Sequence, residues 1–248
     1  MDAIIMTSIT YTKVIDDIAY LTLNNGTYNT IDDAIFLDLD RFKIFINQNP
    51  QLKGLVIMGE GRHFSSGANL NNIKNNSKNV NLLEDSLNRG KEILNYIETL
   101  PLITVAVIKG ICFGAGVEIA MSCDYRVCSK NSKFSFPESE NGFMPGLGGC
   151  LRLPKIVGKK EALKLILSSV IIDSEEANMI GLVDKVVAKG EALDEAISII
   201  NYLTNDRSIE QVRNICSLVK KQALIDKNAL NDESKYFSKL VQTKFDNH

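Results

Sequence analysis

Residues 103–124, ITVAVIKGICFGAGVEIAMSCD, contain an apolar strand that runs through a group of small residues into a helix. The β-branched run 103–108 predicts a buried strand, which Gly110 ends. The small residues 114–116 open a segment with helical apolar spacing, and a helix that starts this way leaves backbone N–H groups unpaired. Such groups favour an anion, or an oxygen that becomes one. Glu118 lies one turn into this helix, although the pattern alone favours a purely structural role.

The N-terminal part of the chain predicts a hairpin followed by a helix. Residues 8–15 and 18–23 are strand-like runs joined by Asp16-Asp17, which is a hairpin signal. After a polar loop, apolar residues at helical spacing predict a helix from about Thr30 to just before Pro50.

Strands and helices continue to alternate through the middle of the chain. Residues 52–58 predict a short apolar strand, and the polar, low-complexity residues 71–80 predict a mobile loop. Helical spacing then extends up to Pro101. Residues 125–128 predict a strand, and residues 134–138 predict an extended segment that ends in a turn.

The last part of the chain is mainly helical. Residues 143–158 predict a Gly-rich loop that leads into a short helix, residues 160–170 and 174–180 predict helices, and residues 181–187 predict a last strand. Three amphipathic helices follow, at 191–204, 207–224 and 230–243. The order of elements predicts an α/β fold with a mostly parallel sheet covered by helices, and a helical C-terminal part.

The composition is that of an ordinary globular chain. The 248 residues are 45% hydrophobic and 23% charged, and the net charge of −2 gives no attraction to nucleic acid or anionic membranes. No apolar run approaches the roughly 20 residues of a membrane span. Five cysteines without a CxxC pair predict free thiols in a reducing compartment. The N-terminus, MDAIIMTS, lacks a signal-peptide pattern, so we expect a cytoplasmic protein.

Several common catalytic motifs are absent from the sequence. The GAG turn is not a dinucleotide fingerprint because Ile119 occupies the place of the third glycine, and neither GxxxxGK[ST] nor GxSxG occurs. A Ser-His-Asp triad would need His63, the only internal histidine. No cluster of His, Cys, Asp and Glu has metal-ligand spacing, so no metal is expected.

Two carboxylates remain as candidates, Glu118 at the start of the central helix and Glu138 after Pro137. One interpretation is a helix-start Glu favoured by the dipole and a solvated turn Glu. The other is an acid/base pair beside an oxyanion site. Spacing alone favours the first interpretation.

Four sequence blocks between residues 59 and 187 resemble the enoyl-CoA hydratase/isomerase (crotonase) superfamily. They match in order and in mutual spacing, which makes the resemblance specific. The blocks are HFSSGANL at 63–70, KGICFGAGVEIAMSCD at 109–124, FSFPESENGFMPGLGGCLRLPKIVG at 134–158 and EEANMIGLVDKVV at 175–187. The resemblance implies a ClpP-like spiral of repeated ββα units. It also implies a catalytic, thioester-binding core at 1–190 and a helical oligomerisation or lid region at 191–248.

The resemblance also implies a mechanism for these residues. The thioester oxygen, which becomes an enolate, would bind the N–H groups of Ala68 and Ala115. In a hydratase, Glu118, kept ionised near the helix dipole, would activate water, and Glu138 would protonate Cα. The N–H of Gly146 would help to hold the water. Because other members of the superfamily commonly lack one or both glutamates, their presence favours reversible hydration of a 2-enoyl thioester.

The chain departs from the family pattern where CoA would bind. NNGTYNTID at 24–32 stands where the family often has NRP, which leaves Arg62 and Ser66 as candidates for CoA contacts. Asn69 follows the SSGA turn where Asp is usual. The substrate is therefore either an acyl-CoA or a thioester on an acyl carrier protein, as in crotonase-like dehydratases of polyketide pathways. In either case the CoA or phosphopantetheine belongs to the substrate, and we expect no cofactor.

Two other functions stay open from the sequence. A double-bond isomerase needs only one carboxylate, and some relatives bind RNA without catalysis. RNA binding needs a basic face, but the helix around 83–97 carries more acids than bases and the net charge is negative, so we expect no nucleic-acid partner. The resemblance further implies a homotrimer or hexamer that forms no membrane contact.

Overall fold

The structure is a computed structural model that describes residues 4–7, 10–32, 37–76, 79–221 and 227–246. It contains a seven-stranded sheet in the order β1-β2-β3-β4-β5-β7-β10 and a three-stranded sheet in the order β6-β8-β9. The strands are β1 Ile4–Thr7, β2 Thr10–Ile15, β3 Ile18–Leu23, β4 Gly54–Gly59, β5 Ile103–Ile108, β6 Ile111–Phe113, β7 Tyr125–Ser129, β8 Lys133–Ser135, β9 Ile172–Asp173 and β10 Lys185–Val187.

The large sheet is antiparallel from β1 to β3 and parallel from β3 to β10. The predicted hairpin is present, and Asp16 and Asp17 both adopt the positive φ values that a tight hairpin turn requires. Every residue of β3 is buried, because helices and loops cover both faces of the sheet at this point. The expectation of a mostly parallel sheet is confirmed.

Nine helices accompany the sheets within the described residues. They are α1 Leu39–Gln48, α2 Leu70–Asn76, α3 Val80–Thr99, α4 Ala115–Met121, α5 Gly149–Ser168, α6 Ser174–Met179, α7 Ala192–Thr204, α8 Ile209–Lys220 and α9 Lys227–Asp246. None of these described helices has both the length and the apolar character that a membrane crossing requires.

The C-terminal helices pack on the rest of the chain. Helix α7 covers one face of the large sheet, where Ile200 lies so close to Gly54 that a Cβ there would be 2.7 Å from it. Helix α9 lies along α3. The division into a core at 1–190 and an oligomerisation region at 191–248 stays a prediction.

A short strand that the sequence analysis missed connects the two sheets. Gly110 ends β5 with a φ of +59°, and the chain turns at once into β6 of the small sheet. A Cβ at Gly110 would lie 2.5 Å from Nδ1 of His63, so the turn requires glycine. Helix α4 then follows β6, which completes one ββα unit of the expected spiral.

The predicted helix start at about Thr30 is wrong. Helix α1 begins at Leu39, after Asp38, whose side chain accepts a hydrogen bond from the N–H of Arg41 at 3.0 Å. Ile31 instead forms a parallel bridge with Ala68. A distant partner therefore overrides the local helical spacing, part of which, at residues 33–36, lies outside the described residues.

The predicted loop at 71–80 is also wrong over most of its length. Helix α2 covers Leu70–Asn76 and α3 begins at Val80, while residues 77 and 78 lie outside the described part of the chain. Ile73 packs against the core, and the Asn72 side chain donates to the backbone carbonyl of Asp32. These tertiary contacts stabilise a helix that asparagine-rich sequence does not favour by itself.

Candidate active site

A cleft with about 950 Å³ of free space, including its open mouth, lies at the start of α4. Its walls come from the turn at 66–69, the loop at 137–147 and helices α2, α3 and α9. Six residues predicted from the sequence line it: Ser66, Ala68, Ala115, Glu118, Glu138 and Gly146. Three segments distant in sequence thus bring these residues to one cavity.

The turns that carry Ala68 and Ala115 are bound to each other. The N–H of Phe113 donates to the carbonyl of Ser65 at 3.0 Å, and a Cβ at Gly67 would lie 3.5 Å from the nitrogen of Ala115. Among the described residues, no acceptor is assigned to the N–H groups of Ala68 or Ala115. Both groups therefore remain available to a ligand oxygen in the cleft.

Glu118 is buried in the wall of the cleft, with 1% of its surface exposed. Its Oε1 accepts hydrogen bonds from the N–H groups of Leu147 and Gly149, both at 2.7 Å. Burial, followed by the charges of Glu233 and Glu138, raises the pKa of Glu118 to about 8, although both hydrogen bonds oppose this rise. Burial thus acts against the ionised form of Glu118 that the helix dipole is expected to favour, and the ionised state of Glu118 stays a prediction.

Glu138 lies on the loop that follows β8, against the start of α4. A Cβ at Gly114 would overlap its Oε1. Its Oε2 is enclosed and has no hydrogen-bond partner among the described residues. Burial raises the pKa of Glu138 to about 7, so its neutral form is also favoured near neutral pH.

Burial therefore raises the pKa of both carboxyl groups into the same range, to about 8 for Glu118 and about 7 for Glu138. Because Glu138 contributes to the raised pKa of Glu118, ionisation of one group disfavours ionisation of the other. A pair with one group ionised and the other protonated contains one base and one acid at the same time.

Sequence reasoning missed a third buried carboxylate in this region, Glu233 of α9. It accepts hydrogen bonds from the N–H groups of Gly148 and Cys150, at 2.7 and 3.2 Å, and lies 3.2 Å from Nζ of Lys91. Glu233 and Lys91 are 3% and 2% exposed. The signal in the sequence was the placement of Glu233 on the apolar face of α9, between Leu230 and Phe237.

The two candidates for CoA contacts are separated in the structure. Ser66 lines the cleft, whereas Arg62 is exposed and is not part of the cleft wall. The neighbouring His63 is buried, and its Nδ1 accepts a hydrogen bond from the N–H of Ile111 at 3.0 Å. These contacts give His63 a structural role in the β6 turn. Among the described residues, no group of three or more His, Cys, Asp and Glu side chains is arranged to hold a metal ion.

Comparison with known proteins identifies the class to which this fold and cleft belong. The family model described as enoyl-CoA hydratase/isomerase matches residues 14–246. The chain therefore belongs to the enoyl-CoA hydratase/isomerase family, and the resemblance inferred from the four sequence blocks is confirmed.

Individual relatives agree with this assignment. A probable enoyl-CoA hydratase of Bacillus subtilis is 35% identical over 178 residues, which cover 71% of this chain and 67% of that protein. The fatty acid oxidation complex subunit alpha of Aliivibrio fischeri is 37% identical over 70% of this chain, but only 26% of that protein is matched. The chain thus spans about a quarter of the length of that relative.

Solved structures confirm the fold class. The crystal structure of an enoyl-CoA hydratase from Bacillus halodurans superposes with a TM-score of 0.82, covers 97% of this chain and 98% of the other, and is 24% identical. At this identity the likeness concerns the fold, which is the α/β crotonase fold that the sequence blocks implied.

Proposed function

We propose that the protein is a hydro-lyase that reversibly adds water across the double bond of a 2-enoyl thioester. The observation that carries the proposal is the presence of Glu118 and Glu138 in one cleft with the free N–H groups of Ala68 and Ala115. Two carboxyl groups that share about one proton supply the base and the acid that hydration requires.

The reaction balances with this set of groups. The ionised carboxylate takes a proton from water as the water oxygen bonds to Cβ, and the electron pair of the double bond moves onto the thioester carbonyl. The enolate oxygen accepts hydrogen bonds from the N–H groups of Ala68 and Ala115. The protonated carboxyl then gives its proton to Cα, the carbonyl forms again, and the pair still holds one proton.

The family resemblance assigns water activation to Glu118 and protonation of Cα to Glu138. Because the unliganded protein favours the proton on Glu118, this assignment requires the proton to pass to Glu138 in the substrate complex. The N–H of Gly146, which lines the cleft beside Glu118, is the proposed additional donor to the water.

We propose an acyl-CoA as the substrate, with a carrier-protein thioester as the alternative that a binding comparison would reveal. The name of the Bacillus subtilis relative supports CoA. Arg62 and Ser66 stay the proposed CoA contacts. We further expect a homotrimer or hexamer, a state that light scattering after gel filtration would measure.

Hydration of crotonyl-CoA, followed at the absorbance of the conjugated thioester, tests the proposal. Glu118→Gln and Glu138→Gln should each lower kcat by about a hundredfold or more, since each removes one proton-transfer group. Glu140→Gln, a change of an exposed side chain two residues from Glu138, is the matched control. Normal hydration by either active-site variant would contradict the proposal, and turnover of a 3-enoyl thioester alone would indicate the isomerase.

A further inference from the structure

Four successive backbone N–H groups, from Leu147 to Cys150, donate alternately to two buried carboxylates. Leu147 and Gly149 donate to Glu118 of α4, whereas Gly148 and Cys150 donate to Glu233 of α9. This alternation requires the left-handed conformation of Gly148, with φ +96° and ψ 14°. The segment 147–150 is thus held between the two glutamates.

Lys91 of α3 supplies the opposite charge to Glu233. Its Nζ lies 3.2 Å from Oε2 of Glu233 and donates to the carbonyl of Leu230 at 2.7 Å and to Oγ of Ser234 at 2.6 Å. Burial of two charges is unfavourable unless they are paired and hydrogen-bonded, as they are here. A structural contact between α3 and α9 does not need this arrangement, because α3 and α9 also pack along their length and Ser234 donates to Asn88 at 2.6 Å.

We propose that Glu233 and Lys91 form a positioning pair for Glu118, which orders the segment 147–150 and places a second carboxyl group, paired with an ammonium group, beside the catalytic carboxyl. This inference rests on the proposed function only in experiments that measure hydration; the titration of Glu118 does not depend on it. In this arrangement Glu233 opposes the ionisation of Glu118, and Lys91 limits that opposition.

Within the described part of the chain, titratable groups that act on Glu118 come from four elements. Helix α3 contributes Lys91, α5 contributes Cys150, α9 contributes Glu233, and the loop after β8 contributes Glu138, while Arg152 of α5 acts on Lys91. Arg152 is paired with Glu98 at 3.2 Å and donates to the carbonyl of Leu147 at 2.7 Å. This hydrogen bond also helps to fix the segment 147–150. The charge of Glu233 is the largest of the charge effects that raise the pKa of Glu118.

The test compares the titration of Glu118 in four forms of the full chain. Carboxyl carbons labelled in Glu are followed by NMR against pH, and Glu118→Gln identifies the signal. Glu233→Gln should move the titration of Glu118 to lower pH by roughly one unit, because the opposing charge is lost and Lys91 remains. Lys91→Met should move it to higher pH, and the double variant should lie between the two.

The control is Glu195→Gln, which removes one member of an exposed pair with Lys185. If Lys91→Met does not fold, the Glu118 titrations of Glu233→Gln and of the double variant still test the inference. The double variant should fold because it leaves no unpaired buried charge. The inference would be overturned if the Glu118 midpoint shifted equally in all variants. It would also be overturned if the Glu233 and Lys91 variants left that midpoint unchanged, as Glu195→Gln is expected to do. The titration of Glu118 needs no substrate, so the two proposals can fail separately. If the Glu118 midpoint shifts as expected in the variants but the protein does not hydrate crotonyl-CoA, only the proposed function is contradicted. If the protein hydrates crotonyl-CoA but the Glu118 midpoint does not shift, only the positioning pair is contradicted.

Discussion

Gly114 lies directly against the carboxyl of Glu138, and a Cβ at this position would overlap Oε1. The residue also has a φ of +48° and immediately precedes the proposed donor Ala115. One glycine thus sets both the position of the carboxyl and the turn that presents an N–H group to the cleft.

Gly114→Ala should therefore lower the hydration rate by about tenfold or more, because displacement of the carboxyl or of one oxyanion donor each has at least this effect. The measurement is kcat with crotonyl-CoA together with the urea midpoint. Gly26→Ala is the control, since Gly26 has a φ of +63° and nothing within 4 Å of its added Cβ. Equal effects of both variants would show that backbone strain, and not contact with Glu138, is responsible.

The pH dependence of kcat/KM should be bell-shaped with its maximum between about pH 7 and 8. Below pH 7 both Glu118 and Glu138 are protonated and no base remains, whereas above pH 8 both are ionised and no acid remains. A rate profile from pH 5.5 to 9.5 measures the two limbs. A flat profile across pH 6 to 9 would contradict the shared-proton arrangement.

The free energy of unfolding should fall as pH rises from about 5 to 8. In the unfolded chain a Glu has a pKa near 4.3, while burial raises the pKa of Glu118 to about 8 in the folded protein. The unfolded state then binds fewer protons in this range, so stability decreases with pH by up to about 1.4 kcal/mol per unit for one such group. Below about pH 4 both states are protonated and this dependence ends.

Urea unfolding at pH 5, 6, 7 and 8 measures that slope. Glu118→Gln should reduce the slope by the contribution of one group, because the amide does not titrate while Glu138 still does. Glu195→Gln, on the surface, should leave the slope as in the wild type. An equal slope in the wild type and Glu118→Gln would mean that Glu118 is ionised in the folded protein.

The sequence could predict those parts of the site that depend on local pattern. The strand 103–108 and the turn before Ala115 are local, and the resemblance assigned Glu118 and Glu138. The sequence could not predict the contact between Lys91 and Glu233. The two charges lie on the apolar faces of two helices far apart in sequence, and they pair only once these helices pack together. For the same reason the start of α1 was misplaced, since Ile31 pairs with Ala68 and not with its own helix.

Phe237 of α9 closes the cleft beside Gly146, where a Cβ would lie 3.0 Å from its ring, and it stacks on Phe143 with 6.1 Å between ring centroids. Phe237→Leu should enlarge the cavity and raise the ratio of kcat/KM for octenoyl-CoA to that for crotonyl-CoA by about tenfold, the scale of one or two methylenes in an apolar pocket. Phe245→Leu is the control, since Phe245 contacts the same Phe143 at 5.9 Å but does not line the cleft. An unchanged ratio in Phe237→Leu, with hydration intact, would mean that the acyl chain lies along α2 and α3 instead of against α9.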